Sequence, residues 1–188
     1  MDQSFEATLV RQCAPTLAGL KPGSLFCVKS PGPGAVRRAA EHWDGRLRPL
    51  GLGVRLLLER PGDGSALVYV YRPAHLGRVL ALAGRRRFLE GAGYRLGGPE
   101  ELLDQLAARL RSRPDFPHEI GLFLGYPLRD VVGFIENRGK NFTCCGMWKS
   151  YGDPKAMGIC FACFRRCVST YVQQFEAGVP IERLAAPA

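Results

Sequence analysis

Residues 54–72 read VRLLLERPGDGSALVYVYR, and this stretch decides the fold class. Two runs rich in apolar, β-branched and aromatic residues, Val54 to Arg60 and Ala66 to Arg72, flank Pro61-Gly62-Asp63-Gly64-Ser65. Proline presets φ, glycine tolerates the left-handed region, and Asp and Ser side chains bond their own backbone, so this cluster spells a turn. Two strand-forming runs around a turn predict a β-hairpin. Pro73 stops the second strand, having no N–H to give a neighbour. Upstream, Ser24 to Lys29 alternates, with Leu25 and Cys27 on one side and Phe26 and Val28 on the other, which predicts a third strand.

Helical patterns surround these strands. Ser4 to Gln12 reads as a helix with Ser4 as N-cap and Phe5 and Leu9 on one face. Pro15 fits the first turn of a second short helix that Gly19 closes. Cys13 would then stand just before a helix N-terminus, where the dipole favours a thiolate. Ser30-Pro31-Gly32-Pro33-Gly34 is a turn without the Lys-Ser/Thr ending of a phosphate loop. Val36, Ala40, Trp43 and Leu47 have helical spacing, ending near Pro49-Leu50-Gly51. Ala74 to Ala83 is read as helical with a solvated His75 in its first turn, and residues 84–98 as glycine-rich and irregular. Gly97 to Glu101 opens a helix with acid at its positive end, Leu103, Leu106 and Leu110 form its stripe, and Pro114 ends it.

Phe116 to Tyr151, FPHEIGLFLGYPLRDVVGFIENRGKNFTCCGMWKSY, organises the second half. Pro117 and Glu119 mark a helix start, with His118 in its first turn. Pro127 opens another helix with Leu128, Val131, Val132 and Ile135 as its stripe, and Asn137-Arg138-Gly139 closes it. CCGMWKSY is a short strand. Asp153-Pro154 launches the longest helix, to about Phe175, with Met157, Phe161, Phe164, Val168, Tyr171 and Phe175 along its apolar face. Gly178 and Pro180 end it, and the last residues look frayed. Strands in the first half and helices in the second predict an α+β fold: a small antiparallel sheet packed by several helices, with a helical C-terminal half. One domain over 1–188 is expected, sheet-rich over 20–75 and helix-rich over 99–176. Residues 114–127 and the long helix should form the packed centre.

With 188 residues, 46% of them hydrophobic, the chain can bury a sizeable core. It has no run of eighteen apolar residues, so no membrane span is expected. Met1 to Gln12 lacks a basic segment followed by an apolar one, so a cytoplasmic location is expected. Seven cysteines, an odd number without a secretory signal, argue against a disulfide framework and leave metal ligation, thiol chemistry or burial. The net charge of +9 allows attraction to nucleic acid, anionic lipid or an acidic partner protein, but its arginines are dispersed over several segments, as on solvated faces. No nucleic-acid module accompanies it, which argues against nucleic acid.

QCAPTLAGLKPGSLF, LVYVYRPAHL, FPHEIGLFLGYPLRDVVGFIENRGKN, CCGMWKSYGD and FEAGVPIERL together resemble the family catalogued as domain of unknown function 3793, small proteins of anaerobic, mostly clostridial-type bacteria. The resemblance covers nearly the whole chain and implies no activity. Cys13, His118, Glu119, Cys145, Trp148 and Cys167 match its pattern. The chain departs from it at Gln12, often a histidine, at Met147, often a tyrosine, and at Cys160 and Cys163.

Three constellations could carry chemistry. Cys160, Cys163 and Cys167 lie on one flank of the long helix, and with Cys144-Cys145 folded back they could supply four thiolates, such as Cys145, Cys160, Cys163 and Cys167, for zinc or an iron–sulfur cluster. The cysteines that match the family pattern, Cys13, Cys145 and Cys167, could instead converge with His118 into a tetrahedral zinc set. Cys13 as nucleophile and His118 as base follow the chain order of papain-like thiol hydrolases. His118-Glu119 does not make a zinc-peptidase helix, because Leu122 stands where the second histidine belongs. The leading expectation is a cysteine-centred protein that handles metal, does thiol redox or partners a redox system. A thiol hydrolase and a basic nucleic-acid-binding or adaptor protein are the alternatives.

Overall fold

The computed structural model describes residues 4–29, 32, 34–60, 62–112 and 115–185. Most of the 30–34 turn, Pro61, the stop at Pro114 and the last three residues fall outside them.

The hairpin forms as its sequence requires. Strands β2 (Gly53–Arg60) and β3 (Ser65–Tyr71) pair antiparallel from Gly53↔Tyr71 to Arg60↔Ser65, with a bulge between Leu56 and Leu58. Asp63 Oδ1 accepts from Ser65 N at 2.8 Å, the local bond that makes Asp a turn residue. Strand β1 (Gly23–Lys29) pairs antiparallel with the other edge of β3, giving the order β1-β3-β2. The central strand is buried at every position. Side chains alternate across a strand, so β3 supplies two cores. Ala66, Val68 and Val70 face one, and Leu67, Tyr69 and Tyr71 the other.

On the Val68 face lie α1 (Phe5–Leu17), α2 (Ala35–Leu47) and α9 (Ile181–Leu184). The α2 stripe is the expected Val36, Ala40, Trp43 and Leu47, and Gly51, at φ +75, closes the turn after it. On the Tyr69 face lie α3 (Pro73–Leu80), α4 (Ala83–Gly91), α5 (Pro99–Ser112), the single turn α6 (Ile120–Phe123) and α7 (Leu128–Glu136). Tyr69 OH donates to Phe123 O at 2.5 Å, tying α6 to the central strand. Two two-residue strands, β4 (Cys144–Cys145) and β5 (Lys149–Ser150), form a separate hairpin before α8 (Pro154–Glu176). The α+β class and the helical second half therefore stand.

Several expectations are corrected. Residues 5–17 are one helix with Pro15 inside it, capped by Ser4, whose hydroxyl accepts from Ala7 N at 3.2 Å. The proline removes the N–H that would reach the carbonyl of Arg11, an exposed residue. Burial of Leu9, Val10, Cys13, Ala14 and Leu17 holds the helix straight through it. Gly19, at φ +76, closes this one helix. Residues 84–91, read as irregular, belong to helix α4. Leu89 packs into the core, and the Arg85 guanidinium donates to Leu122 O at 3.4 Å and Tyr126 O at 3.2 Å. On α7 the buried positions are Asp130, Val131 and Gly133, and Ile135 is exposed. The packed centre is β3, not α8. The long helix lies against α1 and buries only Met157, Phe161 and Phe164.

Candidate functional site

The α6–α7 corner builds the site. Gly125, at φ +80, turns the chain, and Pro127 caps α7. The helices approach closely because Gly121 has no side chain. A Cβ there would lie 2.8 Å from Val131 Cγ2 and 3.1 Å from Tyr126 Cδ2. The β4–β5 hairpin closes over the corner, and Asp130 bolts it down. Asp130 is 2% exposed. It accepts from Trp148 Nε1 at 2.8 Å and from Tyr151 N at 2.9 Å. Donors on two separate residues of the hairpin segment satisfy the carboxylate, as a buried charge requires. Trp148 stacks on Tyr126, with centroids 4.4 Å apart, and meets Phe161 of α8 edge to face at 4.7 Å.

These elements enclose a half-open pocket of about 440 Å³. Ile120, Gly121, Leu124 and Val131 form its base, and Tyr126, Phe134 and Trp148 wall it, with Asp130 beneath. His118, Phe116, Cys145 and Met147 stand at its mouth, all four exposed. The His118 ring packs against Phe134, with centroids 4.9 Å apart. Neighbouring Glu119 is buried and serves structure. It accepts from Arg109 Nη1 at 3.4 Å and Tyr94 OH at 3.3 Å, while the guanidinium lies 4.0 Å from the Tyr94 ring centre.

Cys13 is not where an activated nucleophile needs to be. It sits mid-helix, fully buried in the core on the Val68 face, and burial pushes its thiol far above the ordinary range, with Lys21 opposing. His118 stands at a pocket whose base belongs to the core on the Tyr69 face, and Cys13 does not line that pocket. The Cys13–His118 pair therefore shares no cleft. Of the set Cys13, His118, Cys145 and Cys167, only His118 and Cys145 line the same pocket. Cys167 is half-buried on α8, and burial pushes its thiol up to about 11. Cys160 is half-buried on the same helix, with its thiol raised by burial, and Cys163 is exposed. Among the described residues, no three His, Cys, Asp or Glu side chains are grouped to hold a metal ion. Neither that set nor Cys145, Cys160, Cys163 and Cys167 forms a ready site for zinc or an iron–sulfur cluster.

Sequence reasoning missed Lys21, Tyr126, Asp130 and Phe134. Lys21 is 7% exposed, with Nζ 5.5 Å from the Tyr126 ring centre on the far side of the pocket wall. Burial pulls its amine down to about 8, opposed by Cys13 and Cys160. Asp130 looks like a first-turn helix acid, and the signal against that is Gly133 mid-helix. A Cβ at 133 would lie 2.5 Å from the Tyr151 ring, so this face of α7 had to meet another element.

The family model described as Protein of unknown function (DUF3793) matches residues 9–185, a span that contains every residue of the pocket. No curated protein and no solved structure matches the chain. Among the described residues, no helix is long and apolar enough to cross a membrane.

Proposed function

Because the chain belongs to the DUF3793 family, whose description assigns no activity, we propose its function from geometry: it is a binding module whose α6–α7 pocket receives one bulky apolar group, a ring or a branched chain. The observation that carries this reading is a cavity of about 440 Å³ lined mainly by apolar and aromatic side chains, whose one carboxylate, Asp130, is taken up by Trp148 Nε1 and Tyr151 N. That volume falls inside the range of roughly 300–1,000 Å³ typical of ligand sites. Asp130 spends its carboxylate on Trp148 and Tyr151, so the depth of the pocket offers shape and apolar surface, with the His118 imidazole at the mouth. Of the roles expected from the sequence, this supports the partner or adaptor role. Metal handling finds less support, since among the described residues no three His, Cys, Asp or Glu side chains are grouped to hold a metal ion, and Cys145 is the one cysteine that lines the pocket.

Saturation-transfer NMR with indole as the pocket probe tests the reading. Transfer to indole, together with slower alkylation of Cys145 by iodoacetamide as indole is added, is the expected result. No transfer and unchanged Cys145 alkylation up to the solubility of indole would overturn it.

A further inference from the structure

The surface around the pocket is unlike the rest of the molecule. Seven large apolar side chains are exposed among the described residues, and four of them, Phe116, Ile135, Phe142 and Met147, come from the segments that build the pocket. Phe116 and Met147 line its mouth. Phe142 belongs to the loop after α7, and that loop is seated on the rim. Lys149 Nζ donates to Gly139 O at 2.9 Å and lies 5.1 Å from the Phe142 ring centre. Gly139 in turn packs so closely on the wall residue Phe134 that a Cβ would lie 3.0 Å from its ring.

Cations share this rim. Arg138 and Lys140 are exposed on either side of Gly139, and Lys149 lines the pocket, against two exposed acids in the same segments, Glu136 and Asp115 beside Phe116. No carboxylate pairs with Arg138, Lys140 or Lys149 among the described residues. The loop is held in place. Arg138 and Asn141 keep left-handed φ values of 51° and 57°, Asn141 Nδ2 bonds Asn137 Oδ1 at 3.2 Å, and Tyr151 OH donates to Lys140 O at 2.8 Å. Unpaired cations on a fixed loop beside exposed apolar side chains form a surface complementary to an acidic, amphipathic segment.

We propose that the pocket and its rim dock an acidic amphipathic helix of a partner protein, with one apolar side chain in the pocket and carboxylates on Arg138, Lys140 and Lys149. This rests on the binding-module reading and adds the nature of the occupant. A second copy of the chain fits poorly, since it would bring another net charge of +9 and the same basic rim. Single-stranded nucleic acid fits less well too. It stacks bases on open ring faces, and the two largest rings of the pocket wall, Tyr126 and Trp148, are stacked on each other, which leaves the smaller rings of Phe116 and Phe142. An amphipathic helix uses apolar anchors at i, i+3 and i+4 in a groove, and the pocket with Phe116 and Met147 beside it offers places for them.

Fluorescence anisotropy on the full chain tests this with three labelled 16-residue peptides. They share the same Leu and Trp anchors, and their spacer positions are Glu, Gln or Lys. The Glu peptide should bind at least about tenfold more tightly than the Gln peptide at low salt, and the advantage should shrink as salt rises. The double variant Arg138→Glu/Lys140→Glu should erase that advantage while indole still occupies the pocket. Equal binding of the three peptides, or none with indole still bound, overturns the acidic partner and leaves the binding module standing. Loss of indole and peptide binding alike overturns both. Binding of a single-stranded RNA 12-mer that is lost in the double variant, with no peptide bound, overturns the proposal in favour of nucleic acid.

Discussion

Replacing Lys21 with methionine should make the protein more stable at neutral pH. The lysine is 7% exposed, and burial holds its amine at about 8 against an ordinary 10.5. At about 1.36 kcal/mol per pH unit, that gap puts the cost of keeping the charge inside the fold at about 3 kcal/mol. The face of Tyr126 returns about 1 kcal/mol as a cation–π contact. Methionine fills a similar volume without charge, so Lys21→Met should gain about 2 kcal/mol at pH 6–7. Between about 8 and 10.5 the unfolded chain holds a proton that the folded chain has released, so rising pH favours the folded form across that window. Below it both states are charged and the folded state bears the full cost. Cys13 works in the opposite sense above 9.0, because its buried thiol stays protonated when the unfolded thiol ionises. Lys21 lowers the Cys13 thiol and its loss only raises it further, so Cys13 stays protonated in both folded proteins and the comparison of variant with wild type isolates Lys21. Urea denaturation followed by circular dichroism at pH 6, 7, 8 and 9.5 measures it. The gain should be full at pH 6 and 7 and shrink by pH 9.5. A variant less stable than wild type at pH 6, or a gain that does not change with pH, would refute the reasoning.

Asp130→Asn should cost about 2–3 kcal/mol, since the amide can accept from Trp148 or Tyr151 only by turning its NH₂ towards the other donor. Urea denaturation measures the loss, and a red shift of Trp148 emission should accompany it; an unshifted midpoint would show that the carboxylate does not anchor the hairpin. Gly121→Ala should destabilise by about 1–3 kcal/mol through the contact with Val131 and lower indole affinity, read by thermal melting and NMR. In the native protein, Ellman's reagent should label the exposed Cys27, Cys145 and Cys163 quickly, and Cys13 only after denaturation. Fast native labelling of Cys13, identified by peptide mass mapping, would contradict its burial.

Local chemistry made much of the fold legible. The 54–72 hairpin, the Ser4 and Asp153 caps, the α2 stripe and the Asn137-Arg138-Gly139 close are each decided by residues within a few positions of one another. Readings failed where a distant element outweighed a local preference. Pro15 signals a helix start, yet the burial of α1 between the sheet and α8 carries the helix through it. Three arginines among glycines signal a loop, yet Leu89 and the carbonyls that Arg85 reaches make it α4. The α7 periodicity points to Ile135, yet the donors of Trp148 and Tyr151, the residues just before and just after β5, turn Asp130 inward.

The same division holds for the site. Composition and pattern alone established an α+β chain with net charge +9, seven cysteines and a chemically dense stretch from Phe116 to Tyr151. They could not say which residues of that stretch face one another. Tertiary structure put Cys13 and His118 with different faces of the sheet, brought His118 and Cys145 to one pocket mouth, and buried Lys21 behind Tyr126. Strand and helix periods fix which side of an element a residue occupies. The packing of separate elements decides what that side meets, and pocket, buried charge and thiol reactivity all depend on the latter.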